Sequence, residues 1–297
     1  MNIRASEKST VFNMFGYITI TAAAIICFIP FWLMISGSLT QNESIIRDGY
    51  NLIPKIFSFA AYEAIFRNPK PIMNAYGVTI FVTTAGTAIG LLLITMAGYV
   101  LQRKDFKYRN HIMFYIYFTT LFSGGLVPWY IMMTSVLKLV NTYTALIWPG
   151  LVSPFLIILM RSFIKMAVPD ELTESAKIDG ANDFRIYYRI VLPLALPGIA
   201  TVGLFMALGY WNSWFNSSLF INDPNKYELQ YYLYNIINTS SFLTELGANS
   251  NVSVTSEIPT QSTKLAMALI VTGPILLLYP FVQRFFVKGL TLGAVKG

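Results

Sequence analysis

The sequence predicts an all-α membrane protein of six transmembrane helices with both termini in the cytoplasm. Three observations predict it. Hydrophobic residues make up 55% of the 297 residues and charged residues only 12%, about half the charged fraction of an ordinary soluble domain. Six stretches without Asp, Glu, Lys or Arg reach or approach the roughly 20 apolar residues that a helix needs to cross a bilayer. The basic residues behind the net charge of +7 collect on one side of those stretches.

The stretches are Phe15–Gly37, Ala75–Leu101, His111–Met133, Tyr143–Met160, Leu192–Trp214 and Leu265–Gln283. The first is too long for the apolar core of a signal peptide and lacks a small-x-small cleavage site. Arg4 and Lys8 before it suit a helix that stays in the chain. The fourth is the shortest, and Pro149, Gly150 and Pro154 should kink it. Neighbouring helices can satisfy the backbone groups such kinks release. The domain reading is a short inner N-terminus at 1–14, a membrane domain at 15–287 and an inner tail at 288–297.

Orientation follows from counting Lys and Arg. Fourteen fall on the assigned inner side: Arg4, Lys8, Arg103, Lys104, Lys107, Arg109, Arg161, Lys165, Lys177, Arg185, Arg189, Arg284, Lys288 and Lys296. Seven fall outside: Arg47, Lys55, Arg67, Lys70, Lys138, Lys226 and Lys264. The outer connections are long. Ser38–Asn74 contains an amphipathic piece, Phe57–Phe66, expected to lie at the interface as a short helix. Phe215–Thr263 is rich in Asn, Ser, Thr and Tyr and reads as a functional loop.

Several chemistries are excluded. One cysteine, Cys27, and one histidine, His111, cannot build a disulfide framework or a Cys/His zinc shell. The spans hold no acidic or basic side chain of the kind that carries a coupling ion in a self-sufficient secondary transporter. A G-x-x-x-x-G-K-[ST] phosphate loop is absent, as is any recognisable catalytic constellation.

The inner connection at 169–193 carries the clearest pattern. Pro169 and Asp170 suit a helix start, with acids facing the positive end of the helix dipole. Gly180 should stop that helix, because it tolerates positive φ. Asn182 or Asp183 can cap a second short helix carrying Phe184, Ile186, Tyr187 and Ile190. Pro193 leads into the fifth span.

Glu174-Ser175-Ala176-x3-Gly180-x9-Ile190-x-Leu192-Pro193 resembles the EAA loop of ABC-importer permeases, usually E-A-A-x3-G-x9-I-x-L-P. The spacing matches throughout, and Ser175 in place of Ala is the one departure. Trp211-Asn-Ser-Trp-Phe215 and the end of the chain, Arg284 to Gly297, are similar to the carbohydrate-type permeases of maltose and alginate importers. The resemblance covers most of the chain and is weakest in Phe215–Thr263. It implies a type I ABC-importer permease fold in a bacterial-type plasma (inner) membrane. It also implies a second, non-identical permease subunit, two ATPase domains below, an extracellular solute-binding protein and an oligosaccharide substrate. ATP and Mg would belong to the ATPase, with no cofactor on this chain, no catalysis by it and no nucleic-acid partner. The ATPase-coupling set implied is Glu174, Ser175, Ala176, Asp179, Gly180, Leu192 and Pro193.

A sugar path would use aromatic faces with amides and hydroxyls. Trp129, Tyr130, Tyr210, Trp211, Asn212, Trp214 and Asn216 are the candidates, although Trp and Tyr also gather at membrane interfaces without any such role. Asn212 and Asn216 are expected on one helix face, one turn apart. An ABC importer for another solute such as a peptide, a secondary transporter and a membrane-embedded enzyme are the competing readings. The last two lack the residues they would need.

Overall fold

The computed structural model describes residues 3–249 and 260–276. Residues 277–283 of the sixth expected span and the tail from Arg284 lie outside the described residues. Among the described residues the chain is helical, with one isolated antiparallel bridge between Thr40 and Phe57. The order is α1 (Ile3–Ser38), α2 (Asn42–Asp48), α3 (Ala60–Arg67), α4 (Lys70–Gln102), α5 (Arg109–Leu121) and α6 (Leu126–Ile131), which runs on as a wide turn, Met132–Val136. Then come α7 (Tyr143–Ile147), α8 (Pro154–Ala167), α9 (Asp170–Ile178), α10 (Asp183–Ile186) with a wide turn Tyr187–Val191, and α11 (Leu192–Leu194). The last are α12 (Leu196–Trp211), α13 (Phe215–Phe220), α14 (Leu229–Asn249) and α15 at 261–276.

Among the described residues two helices are long and apolar enough to cross a bilayer unaided, one over Phe12–Ser38 and one over Lys70–Gln102. The third, fourth and fifth expected spans are bent pairs. The third turns through 112° at Phe122–Gly125, where Gly125 has φ 88°. The fourth bends by 52° after Pro149 and Gly150, as their chemistry predicts. Ser153 restarts it by accepting the Leu156 N–H, and Pro154 occupies the first turn. The fifth bends by 81° at Ala195, so the second helix of the 169–193 segment continues unbroken into the first leg of the span. The described residues of the polar segment 215–263, expected as a loop, are largely helix: α13, the 21-residue α14 and the start of α15. The interfacial piece is found as α3, while α2 was not foreseen.

The chain forms two compact units. One takes residues 1–69 and 235–272, as far as they are described. There the segment after α1 folds back on the helix end: Trp32 Nε1 donates to Leu52 O (2.8 Å) and Ser36 Oγ to Asn51 O (2.7 Å). The Asn42 side chain accepts the Gln261 N–H at the start of α15 (3.0 Å).

The other unit, residues 70–234 with 273–276 of the described end, is built around α4. This helix packs on α8 and α12, with Val82, Ile94, Met160, Ile164, Val202 and Met206 buried between them. Its contact face carries Gly86, Gly90 and Gly98. A Cβ on Gly86 would stand 2.5 Å from the Tyr210 ring, and one on Gly98 would stand 3.1 Å from the Arg161 backbone N. Small residues at this spacing let backbones approach where lipid supplies no hydrophobic drive. Replacing Gly86 with Leu is expected to cost about 1–3 kcal/mol by overpacking. The measurement is the thermal midpoint of the detergent-solubilised protein, with the surface change Lys107→Gln as the silent control.

Candidate functional site

The segment α9–α11 is built as a rigid pair of helices. Helix α9 ends in a Schellman motif: Gly180 N–H donates to Lys177 O (3.0 Å) and Ala181 N–H to Ala176 O (2.9 Å). Gly180 has φ 79°, so a residue with a Cβ would be strained there. Ala176 and Ala181 both pack against the buried core, which limits their size. Asn182 Oδ1 then accepts the Arg185 N–H (2.9 Å) and caps α10. Ile190 and Leu192 pack on the same core, and Pro193 lies in the first turn of α11. The pattern residues thus divide in two: Ala176, Gly180, Ile190, Leu192 and Pro193 shape the unit, while Glu174, Ser175 and Asp179 are exposed.

An ionic cluster ties this unit to α4. Arg103, just beyond the helix end, pairs with Asp105 and Asp183 (2.6 Å), and Lys177 pairs with Asp105. Lys104 pairs with Asp170 (2.6 Å) at the first residue of α9. Arg103 and Lys177 together hold the Asp105 carboxyl well below the usual carboxylate range. Asp105 and then Asp183 raise the Arg103 guanidinium further above its already high value. Deeper in, the Tyr187 and Thr95 hydroxyls share a hydrogen bond (2.7 Å), and Tyr187 lies against the Tyr99 ring.

Among the exposed polar residues of the unit stand large apolar side chains. Ile178 is 86% exposed and Phe184 61%, with Tyr188 stacked on Phe184 at 5.8 Å. Large apolar side chains left exposed in this way are ones a partner surface can cover. Glu174 stands beside them and forms no ion pair among the described residues.

The candidate sugar-path residues fall into three places. Tyr210 and Trp211 are buried; the Tyr210 hydroxyl donates to Ile147 O (2.8 Å), and its ring fills the space over Gly86 and Gly150. Asn212 and Trp214 are exposed beyond the end of α12. Because α12 stops at Trp211 and α13 begins at Phe215, Asn212 and Asn216 do not share one helix face. This corrects the expectation of a continuous helix through both. Trp129 packs against the cluster of Met133, Ala145 and Phe220, and Tyr130 stacks on Phe220 at 6.0 Å.

Residues missed in the sequence complete the exposed group. Trp214 stacks on Tyr234 at 4.7 Å, Tyr234 lies parallel to Tyr231, and Gln230 donates to the Asn212 side-chain oxygen (3.4 Å). The available signal was the helical spacing of Tyr227, Tyr231 and Tyr234, hidden by reading the segment as loop. The group is an aromatic platform with two amides at its edge.

Beneath it lies Glu228, 1% exposed. Its Oε2 accepts from Ser217 Oγ (2.7 Å), while Oε1 has no partner. The next residue's N–H donates to Thr79 Oγ1 on α4 (2.8 Å). Burial pushes the Glu228 carboxyl up to about 8, against the opposing pull of the Ser217 hydrogen bond.

Two predictions follow from these geometries. Arg103→Ala should loosen α9–α11 by roughly 1 kcal/mol, the scale of partly exposed pairs, read as faster hydrogen exchange over 170–194. For Glu228, the folded carboxyl keeps a proton that the unfolded chain releases above the ordinary 4.5. Stability therefore falls as pH rises from there toward about 8 and levels off above it. Exchange over 217–232 should be faster at about pH 9 than at about pH 6 beyond the intrinsic chemical rate, and Glu228→Gln should abolish that excess.

Comparison with known proteins places these features in context. The family described as binding-protein-dependent transport system inner membrane component matches residues 90–292. The polygalacturonan/rhamnogalacturonan transport system permease protein of Bacillus subtilis is 40% identical over 290 residues, covering 98% of this chain and 100% of that protein. The arabinooligosaccharides transport system permease protein of Halalkalibacterium halodurans is 29% identical, covering 92% of this chain and 93% of that one. Among solved structures, a chain of a bacterial ABC transporter involved in the import of the acidic polysaccharide alginate aligns with a TM-score of 0.80. Identity there is 25%, over 94% of this chain and 98% of that one.

Proposed function

The chain belongs to the inner membrane components of binding-protein-dependent transport systems, and from that membership we propose that it is the permease subunit through which an ATP-driven importer takes up oligosaccharides. As a permease it is a non-catalytic transport subunit. ATP and Mg are used on a separate ATPase, and the working complex contains a second permease, two ATPase domains and an extracellular solute-binding protein. The basic face, with Arg103, Lys177 and Arg185, lies in the cytoplasm, so both termini do as well. The membrane is the plasma membrane of a bacterial-type cell.

The observation that carries the reading is the α9–α11 unit: a stopped and capped helix pair, clamped to α4, with Ile178, Phe184 and Tyr188 exposed beside an unpaired Glu174. Such a unit seats in a partner protein and moves as a body. Closure of the ATPases displaces it, the ionic cluster passes the displacement to α4, and α4 carries it to the far end, where Thr79 holds the start of α14. Substrate delivered outside favours one of the two states and so triggers the cycle. The set Glu174, Ser175, Ala176, Asp179, Gly180, Leu192 and Pro193 serves coupling. On the opposite side Asn212, Trp214, Tyr231 and Tyr234 meet the sugar. Tyr210, Trp211 and Asn216 support that surface, and Trp129 and Tyr130 adjoin it through Phe220.

The relatives direct the substrate panel: oligogalacturonides first, then arabino- and galacto-oligosaccharides, with a peptide mixture as the counter-class. The reconstituted complex with its binding protein should accumulate one of the sugars and hydrolyse ATP faster when that sugar is present. Gly180→Val should uncouple hydrolysis from uptake, since positive φ costs a residue with a Cβ roughly 1–2 kcal/mol. Trp214→Ala with Tyr234→Ala should lower uptake by up to roughly tenfold, the scale of lost ring stacking, with ATPase assembly unchanged. Uptake of the peptides alone would overturn the sugar assignment, and ion-driven uptake by this chain without an ATPase would overturn the importer assignment.

A further inference from the structure

Beside the coupling unit lies a polar cavity of about 280 Å³, lined among others by Lys104, Arg109, Arg161, Lys165 and Asp170. It sits between the end of α4, the first residues of α5, the end of α8 and the start of α9. Four cations surround one carboxylate, and that carboxylate is already paired with Lys104. Arg161 uses its Nε–H on Leu101 O (3.0 Å), which fixes the guanidinium, and its two terminal nitrogens have no hydrogen-bond partner among the described residues. Lys165 makes no ion pair or hydrogen bond among the described residues. Arg109 donates one N–H to Arg103 O (3.2 Å). Arg161 and Lys165 stand at i and i+4 on one face of α8, a like-charge spacing that destabilises a helix unless an anion lies between them.

The depth of the cavity identifies the anion. Leu101 and Met160 are buried apolar residues at the ends of their spans, and the cations begin one or two residues later. Asn110 precedes the third expected span directly. The cavity is therefore level with the inner headgroups, where basic pockets between transmembrane helices collect anionic lipid.

We propose that this cavity is a binding site for a phosphate-bearing anion, supplied by the headgroup of an anionic phospholipid of the inner leaflet. Arg161 and Lys165 hold the phosphate, and Arg109 faces it from α5. Because Pro169 and Asp170 close the cavity, the bound lipid abuts the root of the coupling unit. The site rests on the cytoplasmic orientation proposed above and is independent of the sugar assignment.

The test uses the complete transporter in nanodiscs of phosphatidylcholine with added phosphatidylglycerol. Native mass spectrometry counts the phosphatidylglycerol that stays bound after release. Wild type should retain it. Lys165→Gln, at an exposed side chain without partners, should weaken retention about fivefold, and Arg161→Gln with Lys165→Gln on the order of thirtyfold. Lys107→Gln, in the same basic stretch but outside the cavity, should match wild type. Excess inorganic phosphate should leave the lipid in place. Retention by the double variant equal to wild type would overturn the site, and displacement of the lipid by phosphate would overturn its lipid source. The orientation is checked separately, by labelling Lys107→Cys in a Cys27→Ser background from either side of sealed vesicles. Labelling from the outside only would overturn the orientation, whatever the lipid counts.

Discussion

The larger unit depends on how closely α4 can approach its neighbours. With Gly86, Gly90 and Gly98 on its contact face, its backbone comes within van der Waals reach of α8 and of the Tyr210 ring on α12. In lipid there is little hydrophobic gain from bringing helices together, so dense packing and internal hydrogen bonds carry the association. The Tyr210 hydroxyl bonded to Ile147 O satisfies a backbone acceptor at the bent fourth span, in the space those glycines leave open. The same packing lets α8 and α12 be interrupted by proline and glycine without unravelling.

Both faces proposed to be functional are attached to that helix. At its basic end the charges of Arg103, Asp105, Lys177 and Asp183 interlock, and each cation meets more than one carboxylate. A network constrains direction better than a single surface pair, whose worth is small. Toward the other end, more than two turns inside the helix, Thr79 accepts the Leu229 N–H that opens α14. The helix stretch from Thr79 to Gln102 between these two holds is stiff over about 35 Å.

The coupling unit was legible residue by residue because its determinants are local. A glycine at positive φ, an asparagine cap and a proline at a helix start each act within one turn, and each was found where the spacing put it. The platform was not legible to the same degree. Trp214 and Asn212 were singled out by type, but Tyr231, Tyr234 and Gln230 come from a segment whose Asn, Ser and Tyr content resembles a solvated loop. That content suits an exposed helix as well once one face can stack on Trp214. Composition could not distinguish the two, because the stabilising partner is distant in sequence.

The sequence by itself determined the class of the protein, the apolar segments and the shape of α9–α11. Burial of uncharged stretches in lipid and local capping need no knowledge of distant neighbours. Tertiary structure alone decided where the spans bend, which aromatic residues are packed and which are presented, and which charges meet. Tyr210 and Trp214 are both aromatic residues near one helix end, yet Tyr210 fills a space made by glycines 60 and 124 residues away, while Trp214 faces outward past the break in α12. Likewise Arg103 and Lys104 look alike in the sequence, and only folding brings Asp183 to the first and Asp170 to the second. Contacts of this range depend on the whole packed unit, and no local rule specifies them.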